Sequence, residues 1–445
     1  MSGAELPLVD VDRLRVGMYV VLDVGWGNHP FLRNRFRIRN ADQIAQIRAL
    51  GLAKVRWSPE RSACGPAPGP EPESGRAAHA APPAASSSAT AAAAPAPAPA
   101  ARTVEPVPLE EWERVAESWL TEDYASLARR QAELGRLLQR DPAAAREIAV
   151  QIAGELSDAV VECDRPAVRL LAGEHGPSPC HEIAVMALAL LLGRDAGLAD
   201  DQLDCLALAA LLHDAGKAAL PEAVRENDGR LAPAALAAYR SHVQRGLELG
   251  QKMGLDPAVL RCMAEHHEHL DGSGFPAGLR GEQISLPGRV LAIANRYVDL
   301  VQPHHGGEGL TPHRALQTLY AQERDHFDPA LLARFVRLLG VYPPGSLVEL
   351  SDGRMALVIA SRPGASLTPR VRVLLRDDGR ELGPALDLDA GSPVSIRRSL
   401  GPGELSPELA RRCTELARAA FLFEPEQAPE WRSWGEDLRE TEASF

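Results

Sequence analysis

The stretch Cys205–Lys217, CLALAALLHDAGK, decides the fold. It begins as an apolar helix and ends in two ionisable side chains. Leu206 and Ala210 lie on the helix face that leads to His213 and Asp214, and Gly216 closes the run. An apolar helix that delivers a histidine and an acid to its buried end needs something there to pair with them. Three other helical segments do the same. His181 shares a face with Val185, Leu188 and Leu192. His242 is in register with Ala238, Gly246 and Leu249. Pro257 opens a helix whose stripe of Val259, Leu260 and Met263 ends in the pair His266–His267, within AEHHEHLDGSGFP at 264–276.

One buried histidine is usually a satisfied core residue. Five histidines and an aspartate on apolar helix faces are a different matter, since burying such groups unpartnered costs roughly several kcal/mol each. Neutral imidazole and carboxylate are natural metal ligands. Six donors exceed one tetrahedral site, so a two-metal centre bridged by Asp214 suits the number better. Lys217 lies one turn beyond the His-Asp pair. It reads either as a functional cation beside the pair or as a helix-terminal lysine meeting the macrodipole. Gly272 and Gly274 read either as a place of close backbone approach to a ligand or as a tight turn.

The rest of the chain organises around this. Of 445 residues, 1–62 carry a charge of +4 within a total of −12, so the remainder is −16. That balance argues against binding a nucleic-acid polymer. The best apolar run, Ile183–Leu192, is too short to span a bilayer, and the N-terminus has no signal-peptide pattern. The six cysteines form no CxxC pair, which implies reduced thiols and a cytoplasmic location. The expected architecture is mainly α. It has a small N-terminal α/β domain at 1–62, an Ala/Pro-rich linker at 63–105, a helical connector at 106–165 and a helical bundle at 166–340. A small β module at 341–400 and a C-terminal helix and tail at 401–445 complete it. In the first domain GMYVVLDVG and AKVRWS read as strands around a helix from Asn40 to Gly51. The helix carrying Trp112 and Trp119 has two readings, packing on the bundle or mediating a homodimer.

His181, HDAGK at 213–217, His242 and the stretch 266–300, HHEHLDGSGFPAGLRGEQISLPGRVLAIANRYVDL, resemble an HD-GYP domain, a branch of the HD metal-dependent phosphohydrolases. LRVGMYV and VYPPGSLVELSDGR resemble the small domain of unknown function and the β extension that often flank it. The resemblance implies an HD-type helical bundle with a binuclear iron or manganese centre. It also implies hydrolysis of cyclic di-GMP to pGpG and GMP, in bacterial second-messenger signalling. Carried over, His181, His213 and Asp214 hold the first metal. Asp214 bridges to the second, which His242, His266 and His267 complete. Lys217, Gly272 and Gly274 would meet substrate, and Asp214 and Lys217 would carry the chemistry.

The sequence departs from that pattern in several places. Asn295 stands where the family has a ligating aspartate, which leaves a weak amide ligand. VQPHHGGEGLTPH replaces the basic and aromatic residues that usually follow, and His304 and His305 are poor substitutes. Pro177 replaces a glutamate found in trinuclear members, and Phe275 replaces the tyrosine of GYP. Asn227 lies near the place of a missing lysine. The alternative reading is a catalytically degenerate module that binds nucleotide or signalling-protein partners. His269 matches no ligand position and is expected to be exposed.

Overall fold

The computed structural model describes residues 7–22, 35–38, 44–45, 47–48, 50, 52–59, 109–163, 166–171, 180–221, 224, 233–302, 309–361, 367–374, 382–389, 391–407, 409 and 420–425. The readings that concern the linker, Pro177, Asn227, His304 and His305 fall outside these residues. The chain forms two units, Met1–Pro106 and Val107–Phe445.

In the first unit, strands β1 (Leu8–Asp10), β2 (Tyr19–Val21), β3 (Arg35–Arg37) and β4 (Lys54–Ser58) form an antiparallel sheet in the order β1-β4-β2-β3. Val9, Val20 and Val55 alternate onto its buried face, where Ile38 and Ile47 cover them. Ile44, Ala45, Ile47 and Arg48 are helical, so an apolar helix face packs on a sheet, the α/β layering expected.

The second unit is a helical bundle with a sheet on one side. Among the described residues its helices are α1 (Leu109–Leu137), α2 (Pro142–Glu162), α3 (His181–Asp195), α4 (Asp200–Leu212), α5 (Pro233–Lys252), α6 (Pro257–Glu265), α7 (Leu286–Val301), α8 (Pro312–Ala321) and α9 (Pro329–Leu339). Their starts are written locally. Asp141, Asp256, Ser285, Thr311 and Asp328 each cap a helix with a side-chain oxygen on a backbone N–H, and each precedes a proline in the first two helical positions. Such a cap contributes about 1 kcal/mol and the proline is preorganised for the turn. α3 and α4 are buried nearly all round and pack on each other; α2 and α6 flank α4, and α7 and α9 lie on α3. Among the described residues no helix is long and apolar enough to cross a membrane.

The sheet holds β6 (Leu347–Leu350), β7 (Met355–Ala360), β8 (Arg370–Leu374), β9 (Leu382–Asp387) and β10 (Ile396–Ser399). Two distant strands extend it: β5 (Pro166–Leu171) pairs with both β7 and β11 (Ala420–Pro425). This corrects the tail reading. Residues 407 and 409 are helical, but Ala420–Pro425 run as a strand in full register with β5. That pairing joins segments far apart in the sequence, which no local pattern announces. Residues 166–171, expected to begin the helical bundle, are likewise a strand.

Candidate metal centre

α4 ends at Leu212, and the chain tightens into a 3-10 turn at Ala215–Ala219. The turn is pressed against α5. A Cβ on Gly216 would lie 1.9 Å from the His242 carbonyl oxygen and 2.5 Å from the Gly246 nitrogen. Glycine here is what lets His213 and Asp214 reach His242. α6 delivers His266 as its C-cap, with His267 next. α3 begins at His181, and its start is pinned by Tyr124 of α1, whose buried hydroxyl accepts from the Cys180 N–H at 2.7 Å. α7 turns Asn295 inward, with its Oδ1 3.0 Å from His181 Nε2.

Asp214 is the hinge of the arrangement. Its Oδ2 lies 3.2 Å from His213 Nε2 and 3.8 Å from His181 Nε2, and its Oδ1 lies 3.5 Å from His242 Nε2 and 3.9 Å from His266 Nε2. Donor atoms therefore converge in two groups that share one carboxylate. One is His181, His213 and Asp214; the other is Asp214, His242, His266 and His267, and within each group the donors lie within 4.8 Å of one another.

The hydrogen bonding suits a cation. His213, His242 and His266 each give Nδ1–H to the carbonyl three residues back, Ala210, Tyr239 and Met263, at 2.8, 2.7 and 2.6 Å. Each Nε2 is then a lone pair when the ring is neutral. Yet His242 Nε2 and His266 Nε2 face each other at 3.3 Å. The buried Nε2 atoms of His213 and His267 have no hydrogen-bond partner. Opposed lone pairs beside a carboxylate oxygen repel, unless a positive charge sits among them.

Electrostatics divides the two groups. Burial pulls His242 below its ordinary value, and pulls His266 and His267 well below it, with help from neighbouring imidazoles. These rings stay neutral and ready to ligate. His213 goes the other way: burial alone would lower it, but the adjoining Asp214 carboxylate raises it. Lys217 likewise rises against its burial, because its Nζ lies 2.6 Å from Asp214 Oδ2, over the Tyr239 ring at 5.4 Å. The lysine thus engages the bridging carboxylate itself.

In metal-free protein the sign of this effect is clear. Unfolded histidine titrates near 6.5, so below that pH the unfolded chain binds more protons than the folded one at His242, His266 and His267, and stability falls. His213 contributes oppositely, stabilising below 6.5 and losing that contribution as pH rises through its raised value. Three depressed rings outweigh one. The melting temperature in EDTA should therefore drop between pH 7.5 and 5.5; an equal or higher value at 5.5 would contradict the neutral assignment.

The loop after His267 is organised from beneath. The buried Glu268 carboxylate accepts from the Ala277 and Leu279 N–H groups at 2.7 and 2.9 Å. Glu265 accepts from the Ser285 N–H at 3.0 Å and from Arg261, tying the end of α6 to the start of α7. Gly272 has φ +79°, and a Cβ on Gly274 would lie 2.4 Å from the His269 nitrogen. Loop packing alone thus accounts for both glycines. Phe275 stacks on His267 with centroids 4.5 Å apart and carries the Arg240 guanidinium 4.9 Å above its ring. His269 is half-buried, stacked on His326 at 4.2 Å, because the loop folds back over it; this corrects its expected exposure. Glu268→Ala would remove the buried carboxylate that accepts from two backbone N–H groups and should cost about 2 kcal/mol, read by urea unfolding.

The site residues named from sequence on α3–α7 are thus brought together, except Gly272 and Gly274, which stand in the loop. Sequence reasoning missed Asp299, Glu265, Glu268 and Tyr239. Asp299 lies one turn beyond Asn295 on α7, with Oδ1 4.0 Å from His181 Nδ1, and burial raises it to about 6 against the pull of Lys217. The spacing of four from Asn295 was the available signal.

Comparison with known proteins fits this geometry. The HD-domain profile matches residues 132–331, starting inside the segment expected as a connector. The profile named Domain of unknown function (DUF3391) matches 7–158, and that of a KOW domain associated with HD domain matches 347–407. These matches place an HD domain within the chain, beside segments similar to the two other profiles. It is 34% identical over 225 residues to the cyclic di-GMP phosphodiesterase PA4108 of Pseudomonas aeruginosa, covering 50% of this chain and 53% of that one. It is 34% identical over 153 residues to the cyclic di-GMP phosphodiesterase response regulator RpfG of Xanthomonas campestris, covering 34% and 40%. A 3'3'-cGAMP-specific phosphodiesterase 2 of Vibrio cholerae matches at 34% over 138 residues, 31% and 26%. The chain spans about half or less of the length of these relatives. Among solved structures, Bd1817, an HDG"Y"P protein from Bdellovibrio bacteriovorus, matches at 14% identity and a TM-score of 0.39, covering 74% of this chain and 97% of that one.

Proposed function

We propose that this chain is a metal-dependent phosphodiesterase that hydrolyses cyclic di-GMP to pGpG or GMP. The observation that carries the reading is the shared carboxylate: Asp214 turns one oxygen to each of two histidine groups whose lone pairs converge. The relatives named above act on cyclic dinucleotides, and that supports the substrate class. His181, His213 and Asp214 would hold one metal, and Asp214, His242, His266 and His267 the other, iron or manganese. Such a pair supplies Lewis acidity toward the phosphodiester and a nucleophile at neutral pH.

The chain's own residues supply the rest. Backbone carbonyls of α4, α5 and α6 hold three imidazoles in the Nδ1–H tautomer, which fixes where each Nε2 points. Apolar residues of α3, α4 and α7 keep water from the back of the site. Lys217, freed from Asp214 when that carboxylate turns to metal, would offer its ammonium to a phosphate oxygen. Phe275 and Arg240 would offer a stacking surface and a cation beside His267. Incubation of manganese- or iron-loaded protein with cyclic di-GMP, and in parallel with 3'3'-cGAMP, tests the reading. It predicts linear products that EDTA abolishes, with cyclic di-GMP preferred; intact substrate in both cases would refute it.

One observation favours a second reading. The neutral Asn295 amide, 3.0 Å from His181 Nε2, gives the first metal no charge of its own. A chain with one weak site would bind nucleotide or protein partners without turnover. Asn295→Asp separates the two readings. It should tighten the weaker metal site at least about tenfold by calorimetry, and under the second reading it should also create activity that the wild type lacks.

A further inference from the structure

The imidazoles of the centre are not held alike. His213, His242 and His266 are each oriented by a carbonyl of their own helix. His181 is the first residue of α3, and residues of other elements face both edges of its ring. Its Nε2 faces Asn295 Oδ1 at 3.0 Å and Asp214 Oδ2 at 3.8 Å, toward the centre. Its Nδ1 therefore points outward, where the Asp299 carboxylate Oδ1 lies 4.0 Å away, within ion-pair distance but too far for a hydrogen bond as the side chains stand. Asn295 and Asp299 are one helical turn apart on α7 and address opposite edges of the same ring.

Charge makes the same point. The His181 half holds two imidazoles, a neutral amide and a carboxylate shared with the other half. Asp214 is also engaged by Lys217. A divalent cation placed there would find little negative charge in direct reach. Asp299 brings a carboxylate within 4.0 Å of the outer edge of His181.

We propose that Asp299 is the positioning carboxylate of the His181 half-site. With the half-site loaded it would close on the ring to accept the His181 Nδ1–H, fix the tautomer that presents Nε2, and supply through the ring the negative charge that Asn295 lacks. A carboxylate behind a ligating imidazole raises its basicity, and losing such a partner typically costs 10–100-fold in metal affinity. The inference rests on the metal-centre reading above and places charge one turn away from the ligating position on α7.

Manganese stoichiometry and affinity, measured without oxygen on the full chain, test it. The variants are Asp299→Asn, Asp299→Glu and the pair Asn295→Asp/Asp299→Asn. In Asp299→Asn the weaker of two equivalents should lose about 10–100-fold in affinity, while the tighter one stays within about twofold. Asp299→Glu should recover part of the loss, and the double variant should recover more, because charge returns directly beside His181. Melting in EDTA should be nearly unchanged in Asp299→Asn, since only the loaded site uses the contact. Two normal equivalents in Asp299→Asn overturn the proposal alone. So does a loss that neither Glu nor Asn295→Asp rescues and that comes with a lower EDTA melting temperature, which marks a purely structural role. A wild-type chain that takes up no metal overturns the metal-centre reading itself, and this proposal with it.

Discussion

Asp214→Asn should empty both halves of the centre. The substitution keeps the shape and removes one charge, yet that charge serves two groups: Oδ2 lies 3.2 Å from His213 Nε2 and Oδ1 3.5 Å from His242 Nε2. It is the one carboxylate in either donor group among the described residues. Without it each metal would be held by neutral imidazoles alone. Loss of a partner behind a ligand costs up to about 100-fold in affinity, and loss of a shared ligand should exceed that for both metals. The same variant has a cost with no metal present. Lys217 is mostly buried and paired to Asp214 at 2.6 Å, so the amide leaves an ammonium without its counter-charge. Breaking a buried pair from one side costs about 3 kcal/mol. Asp214→Asn should therefore be less stable in EDTA as well, and Lys217→Met in that background should restore much of the loss. Elemental analysis and urea unfolding read the two effects separately. Retention of one full equivalent would show that Asp214 does not bridge.

Gly216→Ala should have the largest effect of the glycine-to-alanine changes at the described residues. The added Cβ would sit 1.9 Å from the His242 carbonyl oxygen and 2.5 Å from the Gly246 nitrogen, both of them backbone atoms of α5 that no rotamer change can move. The 3-10 turn and α5 must separate, at a cost of roughly 3 kcal/mol or more. His242 rides on α5, so it withdraws from Asp214 and the second donor group opens. A folded but destabilised protein with impaired metal uptake is the expected outcome. Gly135→Ala is the control. It lies in α1 with nothing within 4 Å of its Cβ, so it should be neutral or stabilise the chain by about 0.5–1 kcal/mol. If Gly216→Ala behaves like Gly135→Ala, the close approach of turn and helix is wrong.

The two variants also show what could be read from the chain in advance. His181, His213, Asp214, His242 and His266 were legible because ionisable residues on apolar faces break a simple periodic rule, and each break points at the same problem. The caps and prolines that start α2, α6 and α9 were local signals of the same kind. What escaped was carried by contacts between distant segments. β5 and β11 are short runs whose strand character comes from pairing with each other, Leu171 with Ala420, so neither announces itself alone. Asp299 looked like an ordinary polar residue of α7, because its significance depends on α3 starting at His181. Glu268 and Glu265 escaped for a related reason: a carboxylate that organises a loop by accepting backbone N–H groups has no sequence period at all. The two loop glycines were legible as glycines, and the backbone contacts at Gly274 explain why.

Crystals of the wild-type chain grown with manganese and without oxygen, measured at the manganese absorption edge, test the central claim most directly. The account predicts two anomalous peaks, one on each side of the Asp214 carboxylate: the first beside His181 and His213, the second beside His242, His266 and His267. One peak in the second group alone would leave the chain with a single-metal centre. No peak at Asp214 would contradict the account outright.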